Sequence, residues 1–354
     1  MIIKKPKTID ELFDYAITTD HGKIHIKNDN KTGLKAIISV HNTYRGPALG
    51  GCRFINYNSN SDAIYDALRL ARGMTYKAAI SNLALGGGKG VIIKPEKDFD
   101  RKALLESFGE FVQELGGVYI TAVDSGTSVS DMDIIAQKTD FVTCSTNKGG
   151  DPAIATAFGV FKGIMAAVNF RLQRQDLEGL DILIQGAGNV GSLIANHLKK
   201  LGANIIIADI NVKAAEKLAS TIGAKIIDSE KVFATKCDIF VPCALGGILN
   251  PDTISKLQAS IVAGAANNQL ADISDAELLY KKNITYVPDY VINAGGLIEA
   301  SSYYDGKYNK QIVDLEISKI YDTVDLILNE SKNSQKNSAI VADEIAEKRF
   351  KIKN

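Results

Sequence analysis

The sequence predicts an α/β protein of two domains. A mixed-sheet domain spans about residues 1–145, and a second domain with a parallel, doubly wound sheet spans about 150–330. Three observations carry this. Two alternating runs flank a glycine-closed turn near residue 30. After residue 150, short unalternating apolar runs are each separated by an amphipathic helix, as for strands buried on both faces. Gly186, Gly188 and Gly191 sit at the junction of one such run and the helix that follows.

The elements follow in order. GKIHIKND and LKAIISVHN, joined by Asn30-Lys-Thr-Gly33, form an antiparallel hairpin. Residues 61–80 form a helix from an N-cap at Ser61, with Ile64, Leu68 and Ala71 on one face and Tyr65 and Met74 also at helical spacing. The strand ValIleIleLys stops at Pro95, ALLESFGEFVQEL is a helix ending at Gly116-Gly117, and VYITAVD is a strand. GVFKGIMAAVNFRL is an apolar helix leading to the polar connector QRQDLEG. Then come DILIQ, a helix to Leu201, ANIIIAD, a helix to Ile222, AKIID, CDIFVP, SIVAGAAN and ITYVPD. DLEISKIYDTVDLILNE and ADEIAEKRFKIKN are surface helices, and the second (about 335–354) is a candidate to pack back on the first domain.

The chain is 354 residues long, the length of two ordinary domains. With 45% apolar and 23% charged residues it is globular in composition, which excludes disordered scaffolds. Its 41 basic residues balance 41 acidic ones, arguing against broad phosphate neutralisation or a polybasic membrane anchor. A small-molecule partner held by local charges is expected, with no nucleic acid and no membrane. The zero balance also favours self-association. Cys52, Cys144, Cys237 and Cys243 form no C-x-x-C pair and read as reduced thiols of a cytoplasmic protein. The start, MIIKKPKTIDELFDYA, lacks a signal-peptide core, and no apolar run approaches the roughly 18 residues of a membrane span. His21, His25, His41 and His197 show no metal-ligand spacing, so no metal site is expected.

Gly186-Ala187-Gly188-Asn189-Val190-Gly191 lies between the strand DILIQ and a helix, and the next strand ends at Asp209, 18 residues beyond Gly191. The first glycine makes the tight turn, the second admits a pyrophosphate to the backbone, and the third lets helix and strand pack closely. Asp209 would accept from a ribose 2′-hydroxyl and repel a 2′-phosphate, so this is a Rossmann site with NAD preferred over NADP. Lys213, just beyond, leaves strict preference open.

Leu85-Gly86-Gly87-Gly88-Lys89-Gly90 is not a P-loop, because Leu83 stands where the first glycine is needed and Gly90 where Ser or Thr is needed. The glycines suggest backbone approaching a ligand, with the Lys89 ammonium in the same cleft. A second cation, Lys77, would lower the pKa of Lys89 and make it available as a base. Asp124 stands at a strand's C-terminal end, where α/β proteins place functional loops, although an N-cap role competes there. Together Lys77, Lys89 and Asp124 describe a site for a zwitterion.

The blocks GPALGGCRF, DALRLARGMTYKAA, LGGGKGVIIKP, YITAVDSGTSVSDMD, IQGAGNVG, CDIFVPCALGGILN, AGAANNQL and PDYVINAGGLI resemble, in order, those of the Glu/Leu/Phe/Val dehydrogenase family, nearest its leucine-type branch. The resemblance implies NAD-dependent, reversible oxidative deamination of an L-amino acid to its 2-oxo acid and ammonia. It implies that Lys77 binds the substrate carboxylate, that Lys89 is the base activating water against the iminium, and that Asp124 moves protons to and from the amine. Thr156 and Asn268 would contact cofactor and substrate. The side-chain pocket would be lined by Leu49, Gly50, Gly86, Ala122, Leu297 and Ala300. These are apolar or small, which disfavours a charged substrate side chain. Leucine, valine and isoleucine are the expected substrates, as in branched-chain catabolism.

The resemblance further implies a homo-oligomer, from dimer to octamer, and two domains that close to exclude water. The chain departs from the family pattern at Val123 (usually Glu), Ser125 (Val), Cys52 (Thr) and Glu299 (Asn in leucine-type members). It also lacks a proline within GGDPAIATAFG. FRLQRQDLEG resembles members acting on tryptophan and phenylalanine, so an aromatic substrate is the first alternative. A non-catalytic NAD-binding regulator is the second. A 2-hydroxy acid dehydrogenase would need a catalytic histidine, for which His41 is the nearest candidate.

Overall fold

A computed structural model of the chain describes residue 6, residues 8–244 and residues 246–351. They form two compact units. The first takes in the described residues up to Pro152, with Glu299–Asn309 and those from Ala346 on; the second comprises Ala153–Ile298 and Lys310–Ile345. The chain thus returns to the first unit twice: in the last residues of the tail helix, the candidate to pack back, and in Glu299–Asn309, which a boundary near residue 145 does not anticipate.

The first unit runs α1 (Ile9–Thr18), β1 (Lys23–Asp29), β2 (Leu34–Asn42), β3 (Ala48–Ile55), α2 (Asn60–Ile80), β4 (Gly86–Ile93), α3 (Arg101–Glu114), β5 (Tyr119–Val123) and α4 (Val129–Ile135). Its sheet has the order β1-β2-β4-β3-β5. The first two pairings are antiparallel and the last two parallel, as expected of a mixed sheet. The hairpin stands as the alternation predicts, with Lys23 opposite Val40 and Asp29 opposite Leu34.

Alternation along the strands gives the sheet two faces. Ala48, Cys52, Phe54 and Ile92 pack with Leu104 and Phe108 of α3. Ile37 and Val91 pack with Ala63 and Ala67 of α2. The N-cap of α2 is Ser59, whose hydroxyl accepts from the Asp62 N–H, rather than Ser61. Two serines two residues apart before an apolar run cannot be told apart by pattern alone.

In the second unit lie α5 (Ala153–Leu172), β6 (Asp181–Gln185), α6 (Asn189–Lys200), β7 (Asn204–Ala208), α7 (Val212–Ile222), β8 (Lys225–Ile226), β9 (Cys237–Pro242), α8 (Pro251–Lys256), β10 (Ala259–Val262), α9 (Asp275–Lys281), β11 (Thr285–Tyr286) and α10 (Asp289–Ile292). The chain goes on through α11 (Gly295–Tyr304), α12 (Lys310–Ser318), α13 (Ile320–Ser334) and α14 (Ser338–Phe350). The sheet is wholly parallel in the order β8-β7-β6-β9-β10-β11, which is the dinucleotide-binding order with its reversal between β6 and β9.

Helix α5 begins at Ala153, six residues before the predicted start. It is long and apolar enough by composition to cross a membrane, with mean hydropathy 1.5, contrary to the reading that no run approaches that length. Two basic residues, Lys162 and Arg171, interrupt it without ending it. Its buried face, including Val160, Ile164 and Val168, packs inside this unit against α6 and α13.

The last turn of α14 belongs to the first unit. Phe350 is buried with its ring 5.2 Å from that of Tyr76, and Arg349 donates to the carbonyls of Ala79 and Ile80 at the end of α2. Residues 352–354 of the predicted tail helix lie outside the described residues.

Candidate active site

Sheet register brings the first group of candidates together. Arg53 pairs with Val91, Gly51 with Ala122, and Ser39 with Lys89. Leu49 and Arg53 of β3, Lys89 of β4 and Ala122 of β5 therefore share the face covered by α2. Gly87 permits this cover. A Cβ there would lie 2.0 Å from the Thr75 nitrogen and 2.6 Å from the Ala71 carbonyl oxygen, both backbone atoms of α2.

The run Gly86–Gly90 thus lies in strand β4 itself, not in a ligand-facing loop before it. The side-chain volumes its glycines forgo are filled by protein. At Gly86, expected to line the substrate pocket, a Cβ would sit 1.9 Å from the Asn42 carbonyl oxygen. At Gly50 it would sit 1.7 Å from the Gly88 carbonyl oxygen, and the Gly50 carbonyl accepts from the Tyr119 hydroxyl at 2.5 Å.

Lys89 is buried and its ammonium forms a direct ion pair with Oδ2 of Asp124. Burial, then the nearby Arg53 guanidinium, bring the Lys89 pKa down from 10.5 to about 7; Asp66 opposes this and Lys77 adds to it. Half-buried Lys77 is in the last turn of α2, where a helix end favours a cation.

Asp124 follows β5 directly and does not cap a helix, since Ser128 caps α4 in a reciprocal pair with Asp131. Its backbone N–H donates to Thr127 Oγ1 at 2.9 Å, and that hydroxyl donates to the Cys52 carbonyl at 2.9 Å. The Ser125 N–H occupies Oδ1 at 2.5 Å. Oδ2 is thereby left for Lys89.

Leu49 and Ala122 are buried at 2% and 6% exposure on the Lys89 face. Ala300 is also buried, and its carbonyl accepts from Thr143 Oγ1 at 3.2 Å. Leu297 is buried in the second unit. His41, the candidate of the hydroxy acid reading, is enclosed between Thr75 Oγ1 at 2.8 Å and the Thr19 carbonyl at 2.9 Å. Burial, then His21, lower its pKa to about 3, so it is a neutral structural group.

In the second unit the glycine turn behaves as its spacing predicts. Gly186 has φ +111, open only to glycine. A Cβ on Gly191 would lie 2.1 Å from the Gly186 carbonyl oxygen, which is the close helix-to-strand packing. A Cβ on Gly188 would meet nothing within 4 Å, and no side chain caps α6 there. Open space at the second glycine, in front of the first turn Asn189-Val190-Gly191, fits a pyrophosphate. Asp209 is half-buried; Oδ2 accepts from the Ala187 N–H at 2.6 Å and Oδ1 from the Asn211 N–H at 2.7 Å.

Thr156 is half-buried on α5. Asn268 is exposed in a left-handed conformation (φ +52), its carbonyl accepting from the Gly247 N–H at 2.6 Å. Beside it Asn293 donates to Asn267 Oδ1 at 2.7 Å and to the Ala265 carbonyl at 3.0 Å, while its own buried Oδ1 has no partner among the described residues. Sequence reasoning overlooked Asn293 and, in the first unit, Arg53 and Asp66. The only signal at Arg53 was its place beside Gly50-Gly51.

Two family models match the chain, the Glu/Leu/Phe/Val dehydrogenase dimerisation domain over residues 18–141 and the Glutamate/Leucine/Phenylalanine/Valine dehydrogenase domain over residues 206–339. A leucine dehydrogenase of Geobacillus stearothermophilus is 44% identical over 343 residues, covering 96% of this chain and 93% of its own. An L-tryptophan dehydrogenase of Nostoc punctiforme is 41% identical over 341 residues, covering 96% of each. The crystal structure of the L-tryptophan dehydrogenase from that organism superposes with TM-score 0.83 at 40% identity, over 96% of this chain and 98% of that one.

Proposed function

The chain belongs to the Glu/Leu/Phe/Val dehydrogenase family, and from that premise we propose reversible NAD-dependent oxidative deamination of an apolar L-amino acid, with leucine, valine and isoleucine as substrates. The observation that carries this is the buried Lys89–Asp124 pair, in which a lysine is poised near neutrality beside a carboxylate.

In this reading Lys77 binds the substrate carboxylate as a cation. Asp124 faces the substrate amine and carries its protons. Lys89, brought to a pKa of about 7 and neutral above it, takes a proton from the water that attacks the iminium carbon, and as ammonium it returns one when ammonia leaves. A bound nicotinamide supplies the acceptor for the hydride from the substrate Cα. Gly186, Ala187, Gly188, Asn189, Val190 and Gly191 would hold the pyrophosphate and Asp209 the ribose. The Asp209 carboxylate favours NAD over NADP, because a 2′-phosphate there would meet a like charge. Thr156 and Asn268 would hold the nicotinamide end. Leu49, Ala122, Leu297 and Ala300 offer no partner for a charged substrate side chain. The protein acts as a cytoplasmic homo-oligomer.

Near-equal similarity to a leucine and a tryptophan dehydrogenase favours a second reading, the same reaction on an aromatic amino acid. One experiment decides. Purified protein with NAD at alkaline pH is given a panel of branched-chain and aromatic L-amino acids, and NADH is followed by absorbance. Highest kcat/KM on leucine, valine or isoleucine is expected. An aromatic optimum would establish the second reading, and no NADH with any amino acid would refute both.

A further inference from the structure

Behind the Lys89–Asp124 pair lies a buried charge network to which no role has been given. Resting on the reading of Lys89 as base and Asp124 as its partner, we propose that Arg53, oriented by Asp66, is a positioning residue. It fixes which oxygen of Asp124 faces Lys89 and, with Asp66, sets the balance of charge around the amine.

The guanidinium of Arg53 is largely withdrawn from water, at 14% side-chain exposure. Nη1 donates to Asp66 Oδ2 at 2.8 Å, Nη2 lies 3.6 Å from Asp124 Oδ1, and the buried Nε has no partner among the described residues. One strong bond thus aims the group, and its second arm reaches Asp124 by charge rather than by a short hydrogen bond.

Asp66 is held in turn. It is buried on α2, accepts from Tyr57 Oη at 2.8 Å on Oδ2, and receives Arg69 Nε at 2.9 Å on Oδ1. Burial alone would raise its pKa, but Arg69 and Arg53, together with the Tyr57 hydrogen bond, outweigh that and hold it below the usual carboxylate value. The Arg53 plane is therefore anchored by an acceptor that cannot easily turn.

For Asp124 the consequence is geometric. Oδ1 faces Arg53 and the Ser125 N–H, so Oδ2 is the oxygen presented to Lys89. For Lys89 it is electrostatic. The charged and titratable groups around it are Asp124 after β5, Arg53 and Cys52 on β3, and Asp66 and Lys77 on α2. Arg53 disfavours the ammonium and Asp66 favours it. The two residues thus act with opposite sign on one group.

The test compares pH profiles of kcat/KM for the full-length enzyme and Arg53→Gln, Arg53→Lys and Asp66→Asn, with Lys89→Ala as control. Arg53→Gln should move the acidic limb up by about one pH unit and lower kcat by roughly tenfold to a hundredfold, with KM changed less. Asp66→Asn should move the limb to lower pH, and Arg53→Lys should return it toward wild type with kcat still reduced. Limbs that stay in place, or that move in the same direction in Arg53→Gln and Asp66→Asn, would overturn the proposal. Should Arg53→Gln fail to fold, the limb of Asp66→Asn decides: it should move to lower pH, and a limb that stays in place or rises would overturn the proposal. An active Lys89→Ala would instead sink the assignment of the base, and is read separately.

Discussion

The ammonium of Lys89, on the central strand β4, contacts Oδ2 of Asp124, on the loop after β5 two strands away in the sheet, at side-chain exposures of only 6% and 13%. A pair so enclosed shares its proton locally instead of with bulk water. Lys89→Ala should therefore lower kcat by ~10²–10⁴-fold, the range for loss of a general base. NAD binding, measured by calorimetry, should be nearly unchanged, since the glycine turn and Asp209 belong to the other unit. Retained turnover would refute the role.

A pH profile tests the same residue without altering it. A base must be neutral to act, and the Lys89 pKa is lowered by burial and by Arg53 to about 7. In oxidative deamination, kcat/KM should then rise as pH passes through about 7 and level off above it. A profile rising only near the ordinary lysine value would contradict the assignment.

Much of this was legible in the chain, and the missing parts share a cause. The hairpin, the glycine turn with Asp209, and the two lysines with Asp124 are signalled by local pattern or family blocks. Arg53 and Asp66 are not, because they meet only through the register of β3 with β4 and the packing of α2. Nothing in a 13-residue separation announces it. The glycines of β4 were misplaced for a related reason. A strand without side chains carries no alternation to read, and only the backbone of α2 lying against Gly87 explains it.

That contact gives a stability prediction. In Gly87→Ala the new Cβ would meet the Thr75 nitrogen at 2.0 Å, so α2 must shift as a body. The cost should be about 1–3 kcal/mol, as for other overpacked interiors, seen as a lower melting temperature. Because α2 also carries Lys77 and Asp66, kcat/KM should fall with it. A variant as stable and active as wild type would show that α2 does not depend on this contact.

Two histidines should make stability pH-dependent. Burial lowers His21 to about 4 and His41 to about 3, against an ordinary value of 6.5. The unfolded chain therefore binds protons first as pH falls. Their contribution is intact above about 6.5 and is lost progressively toward pH 4 and 3, about 1.4 kcal/mol for each pH unit of depression. Melting temperatures from pH 7.5 to 4 should fall accordingly, and less steeply in His41→Ala. Turnover of the folded His41→Ala enzyme at pH 8 should persist, since its imidazole is committed to Thr75 and Thr19. An equal slope in wild type and variant would remove His41 from this account.

Asp209 does two things that can be separated. Its carboxylate ties the glycine turn through the Ala187 N–H and starts α7 through the Asn211 N–H, and it places a negative charge beside the proposed ribose site. Asp209→Asn keeps the shape and one acceptor oxygen but removes the charge. KM for NADP should then fall markedly while KM for NAD rises only modestly. Asp209→Ala removes charge and acceptors together, so the turn loses its tie and KM should rise for NAD. Exposed Lys213, with a carboxylate no longer near the ribose, becomes the local field and favours a phosphate. The ratio of kcat/KM for NAD over NADP is the measurement. A ratio unchanged in Asp209→Asn would mean that the charge does not select the cofactor and that the carboxylate serves the turn alone.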